Sequence, residues 1–190
     1  MEEKKLKWVM VTNYVHKQLI EGEDCLRTGL YSWMPVFDGE VKSFQEMDPD
    51  DYEKYDVIHV NLSGQDIHIL GDIRDKIGWD SKTKIVANND YTCELWQSSF
   101  DYLTTLRREL KNADMLFGTE PNQVDTLEVL TGRKIHLITH PCFVKRLKTL
   151  TPKKEPSFLS VVWHRYDNYS AIPSLAVKDF GYTTRLVGYD

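Results

Sequence analysis

ADMLFGTEPNQVDTLEVLTGRKIHLIT, residues 113 to 139, holds a short apolar run, an amphipathic segment and a second apolar run. ADMLF has the length and composition of a strand. Thr119 suits a helix N-cap, and Pro121 falls in the first turn, where its missing N–H costs nothing. Val124, Leu127 and Leu130 then step along one helix face, and Gly132 suits the C-terminal stop. KIHLIT returns as a strand. A strand, an amphipathic helix and a strand in this order make a crossover that lays the two strands parallel and covers one face of their sheet.

The same unit recurs upstream. TKIVANND reads as a strand, and the helix predicted from Cys93 to Asn112 carries Trp96, Phe100, Leu103, Leu106 and Leu110 as one apolar stripe. DVIHVNLS is a strand ending at Ser63-Gly64, DPDDYEKYD a turn-rich acidic connection, and EVKSF a short strand. The first strand is LKWVMVT, bounded by Asn13, with a helix expected from Lys17 to Leu30. Residues 1 to 150 therefore predict a Rossmann-like α/β domain, a parallel sheet with helices on both faces. Downstream, KRLKTLTPKKEP is basic, contains two prolines and reads as a linker. SFLSVVWHRYDN restarts a strand, Tyr169 to Phe180 allows a helix, and TTRLVGYD is strand-like again. Residues 151 to 190 are thus expected to be a linker and the start of a second α/β unit, cut short at Asp190.

Composition narrows the partners. The chain of 190 residues is 41% hydrophobic and 28% charged, with a net charge of -5, which argues against a nucleic-acid-binding surface. Its three cysteines are widely spaced and form no CxxC pair, as in a reduced, cytoplasmic protein. No segment approaches the roughly 18 apolar residues that cross a bilayer, so membrane contact would be at most peripheral, on the inner face. The basic run from Lys145 to Lys154 would suit anionic headgroups, but a solvated linker is the more economical reading. The sequence contains neither GxxxxGK[ST] nor GxGxxG, which disfavours a P-loop enzyme or a simple dehydrogenase. Its six histidines include no HExxH. His136 and His140 would stand about 13 Å apart along a strand, too far to share one ion, so no metal is expected.

In parallel α/β sheets, ligands bind outside the carboxyl ends of the strands. Those ends bring forward Asn13, Tyr14, Asn61, Asn88, Asn89, Asp90, Tyr91 and His140, the last fixed by Pro141. Asn and Asp are also favoured there for local caps and turns. A histidine inside DVIHVN is more often a satisfied interior residue than a catalytic one. Beside those readings stands a functional one, in which these side chains line a cleft and hydrogen-bond the hydroxyls of a polyol, with Tyr14, Tyr91 and Trp96 offering flat rings.

Taken in order, YDVIHVNLSG, KIVANNDYT and ADMLFGTEPNQVDTLEVLTGRKIHLITHPCFVKRL resemble the amino-terminal half of GT-B-fold glycosyltransferases, of the glycogen-synthase-like or group 1 type. In that family, D-V-I-H-x-H is followed by a strand ending in a His-Asp pair, then by a strand leading into a Ser- or Thr-capped helix. His59 falls on the first histidine, Asn61 replaces the second, Asp90 falls on the aspartate with Asn89 in place of its histidine, and Thr119 matches the cap. His140-Pro141-Cys142-Phe143 stands where the family has Asn-Gly-Val-Asp. FLSVVWHRYDN looks like the first strand of the donor-binding domain, and Arg165 matches an arginine offered to the donor diphosphate.

The resemblance implies transfer of a sugar from a nucleotide-sugar donor to an acceptor hydroxyl, with retention, and without a cofactor or metal. It places Asn13, His59, Asn89 and His140 on the acceptor side, Asp90 nearest the chemistry, and Arg165 near phosphate. The rival reading is a non-enzymatic α/β module that binds a ligand or a protein.

Overall fold

The structure is a computed structural model that describes residues 5–12, 15, 33–37, 39–62, 67–89, 100–141, 157–162 and 183–188. The chain divides into two compact units, Met1–Arg146 and Leu147–Asp190. In the first, β1 (Trp8–Thr12), β2 (Glu40–Ser43), β3 (Val57–Leu62), β4 (Lys84–Asn89), β5 (Met115–Gly118) and β6 (His136–Leu137) form one sheet in the order β2-β1-β3-β4-β5-β6. Every pairing is parallel. The chain steps outward from β1 to β2 and then back across to β3, so the order reverses between β1 and β3, the switch point of a doubly wound sheet. In the second unit, β7 (Ser157–Val162) and β8 (Thr183–Gly188) pair in parallel.

Alternation along the strands sends side chains to two faces. On the first face, Val9, Val11, Ile58, Val60, Leu62, Ile85, Ala87 and Leu116 form one buried cluster with three helices, α2 (Ile69–Ile77), α3 (Phe100–Glu109) and α4 (Pro121–Thr131). Helix α2 contributes Leu70, Ile73 and Ile77, each worth about 1.5–3 kcal/mol when removed from water. On the second face, Trp8, Met10 and Phe117 cluster with Trp33 and the short α1 (Met34–Phe37). The α/β class and its parallel sheet therefore stand as expected.

At the amino ends of the strands the sheet is tied by a buried cation. The Arg74 guanidinium donates to Asp114 Oδ2 at 2.8 Å and to the carbonyls of Asn112 and Gly78 at 3.0 Å each. Trp79 lies against it, 4.3 Å from ring centroid to Cζ. Asp114 Oδ2 also accepts from the backbone N–H of Ile85 at 2.8 Å, so one carboxylate joins α2 to the start of β4.

Three local expectations shift. The N-cap of α4 is Glu120, without a side-chain cap, and the N–H of Thr119 is taken instead by Gln123 Oε1 at 2.7 Å. Gly132 does close α4, at φ 66° in the left-handed region that favours glycine. KIHLIT contributes only the two residues of β6, both exposed, because β6 is the sheet's edge. The described part of the predicted 93–112 helix begins at Phe100 and tightens to a 3-10 turn at Leu110–Asn112. The expected helix over 17–30 lies outside the described residues, as does that over 169–180.

Candidate functional site

Val57, His59 and Asn61 alternate with the apolar residues of β3 and so stand on the second face. His59 and Asn61 are each 3% exposed, and Asn88, on the same face of β4, is 1% exposed. Burying three polar side chains costs several kcal/mol unless they pair. They do. His59 Nε2 lies 2.8 Å from Asn88 Oδ1, and Asn88 Nδ2 donates to Asn61 Oδ1 at 2.8 Å. Asn61 and Asn88 are direct partners in the β3–β4 register, whereas His59 reaches diagonally from its own partner, Val86. The result is a polar line that runs from the middle of the sheet toward its carboxyl edge.

Rings surround the histidine. The centroids of Phe117, Trp8 and Trp33 lie 5.3, 5.7 and 6.1 Å from that of His59, and Trp33 meets it edge-on at 89°. Burial in this apolar setting pushes the His59 pKa down to about 4, against the hydrogen bond to Asn88, which favours the charged form, and with a small further push from His140. His59 is therefore neutral in neutral solution. Next to it opens a cavity of about 210 Å³ whose walls include Trp8, Trp33, Phe37, Val86 and Phe117. Gly39 is required by this packing, since a Cβ there would fall 1.8 Å from Trp8 Cε3.

The residues singled out from the sequence separate. His140 and His59 come together through Trp33, whose Nε1–H donates to His140 Nδ1 at 3.0 Å. Asn89 is fully buried but faces the other way. Its Nδ2 reaches Tyr102 on α3 at 3.4 Å, and its carbonyl accepts from Gln123 on α4. It anchors helices on the first face. Asn13, Asp90 and Arg165 lie outside the described residues. Trp33 and Phe117 were missed as site residues, and Asn88, brought forward as a strand end, was given no role there. The signal for Asn88 was present, because an asparagine one strand over from His-x-Asn is the natural partner for two buried polar groups on one strand face.

The fold and this site define a Rossmann-like α/β protein with an all-parallel sheet, carrying a buried histidine beside an aromatic cavity. No family model matches the chain, and comparison with curated proteins finds no match. Among the described residues no helix is long and apolar enough to cross a membrane.

Proposed function

We propose that the chain is the acceptor-side domain, with the beginning of the donor-side domain, of a GT-B-type glycosyltransferase. The observation that carries this reading is the layout. A six-stranded parallel sheet that reverses between β1 and β3 is followed by a separate unit built on another parallel pair. A parallel sheet followed in the chain by a second parallel pair is in keeping with that resemblance.

In the proposed reaction an acceptor hydroxyl oxygen bonds to the anomeric carbon as the bond from that carbon to the donor diphosphate breaks. The hydroxyl proton leaves to a base, with Asp90 as the candidate, and Arg165 stabilises the departing diphosphate. Being neutral, His59 would position a group by hydrogen bonding and would supply no charge. His140, whose Nδ1 accepts from Trp33, would hold the acceptor side in shape.

The test is release of nucleoside diphosphate from a panel of UDP-, GDP- and ADP-sugars by the protein made from its whole gene. Activity is expected, and is expected to fall in Asp90→Ala and Arg165→Ala while the fold survives. Full activity in both variants would sink the residue roles. Silence across the panel would sink the reaction. One observation favours a binding module in that event, namely that the cavity beside His59 is walled by uncharged side chains.

A further inference from the structure

Protein interiors leave few voids larger than a water molecule. The cavity beside His59, at about 210 Å³, is well above that size. An apolar cavity of about 150 Å³ stays dry and takes benzene, so this one has room for two fused rings. Among the described residues its lining contains no acid, lysine or arginine, so none of them offers an anion or a cation a counter-charge. Leu6 and Phe37, 51% and 39% exposed, stand at its mouth.

One wall includes His59. Because Asn88 Nδ2 donates to Asn61, Asn88 presents its carbonyl oxygen to His59, and the ring proton must sit on Nε2. Nδ1 is then an acceptor, and among the described residues no donor reaches it, although the side chain is 3% exposed. His59 lines the cavity, and a buried acceptor that no described residue serves calls for a donor from a ligand.

We propose that this cavity binds a neutral two-ring aromatic group carrying one N–H or O–H donor, which pairs with His59 Nδ1. The rings of Trp8, Trp33 and Phe117 supply offset and edge contacts to such a ligand, and His59 sets its orientation. The low pKa of His59 keeps Nδ1 unprotonated throughout the neutral range. This inference goes beyond the glycosyltransferase reading and stands without it.

Indole is the probe, titrated calorimetrically into the whole protein beside 1-methylindole, which has the same rings and no donor. Indole is expected to bind, with 1-methylindole weaker by about fivefold, the worth of one net hydrogen bond. That preference is expected to vanish in His59→Phe. Val86→Trp is expected to fill the cavity and abolish binding with the circular dichroism unchanged. If that variant does not fold, Met115→Phe on another wall is read in its place, with the same loss expected. Absence of indole binding by the unaltered protein overturns the proposal, as does undiminished binding in the filled variants. Equal affinity for the two probes overturns the role of Nδ1. Tighter binding of tetramethylammonium than of indole would make the cavity a cation cage and overturn the ligand class.

Discussion

The indole N–H of Trp33 donates to Nδ1 of His140 at 3.0 Å, joining residues 107 positions apart in the sequence. The bond ties the residue that leads into α1 to the chain leaving β6, across the face where His59 lies. The tryptophan end also touches rings, since Trp33 packs on Phe117 at 5.7 Å and on Phe37 at 6.0 Å.

Trp33→Phe keeps a ring in place and deletes the donor, so the loss should be about 1 kcal/mol. Trp33→Ala removes the packing as well and should cost about 3–5 kcal/mol. Urea unfolding of the two variants separates the terms. Equal losses would mean that the hydrogen bond, and not the ring, holds this corner.

Stability should depend on His59 in acid. Unfolded, the histidine takes up a proton near 6.5, while in the fold it stays neutral down to about 4. Below 6.5 the unfolded state therefore binds more protons, and stability falls with falling pH until the folded site also titrates. Relative to His59→Phe, the unaltered protein should lose roughly 3 kcal/mol between those limits and nothing above them. Chemical denaturation of both proteins across that range checks the slope, and parallel curves would show that His59 is not the group responsible.

Asn88 serves two partners at once. Asn88→Leu leaves the His59 N–H and the Asn61 carbonyl buried and unpaired, at about 1–3 kcal/mol each. The triple replacement with His59→Phe and Asn61→Leu should recover part of that loss, because apolar groups replace every member of the line. Thermal unfolding of the single and triple variants makes the comparison.

At the opposite end of the sheet, Asp114→Ala strands the guanidinium of Arg74, which is 2% exposed. The expected cost is about 3–5 kcal/mol. Arg74→Met removes the charge itself and should cost less, as read by denaturant midpoint.

Gly39→Ala tests how rigid the aromatic wall is. The added methyl collides with the Trp8 ring, and overpacking of this kind costs about 1–3 kcal/mol. A near-UV circular dichroism change without a far-UV one would place the strain in the rings.

The parallel architecture was legible because strands such as Ile58–Val60–Leu62 and amphipathic helices such as α4 are local patterns. Helix ends were less so. Thr119 is a good cap residue by composition, yet Gln123 reaches back to its N–H, and the helix starts one residue later. The site was half-visible. His59 and His140 stood out as single residues, but what links them is Trp33, which no local pattern assigns to either. Asn89 and Asn88 are neighbours in sequence and were read as one cluster; the pleat sends them to opposite faces, one to the helices and one to the histidine. Which member of such a pair faces the cavity depends on strand register, and register is settled by the whole sheet.

The brevity of β6 and the charges of β2 have a consequence in concentrated solution. An open sheet ends in unpaired backbone groups that can recruit a second chain. Here one border offers only two residues, and the other carries Glu40 and Lys42, ion-paired at 3.3 Å. Among the described residues neither gives an incoming strand a long, flat, apolar template, so self-association by strand addition is disfavoured at both borders of the sheet.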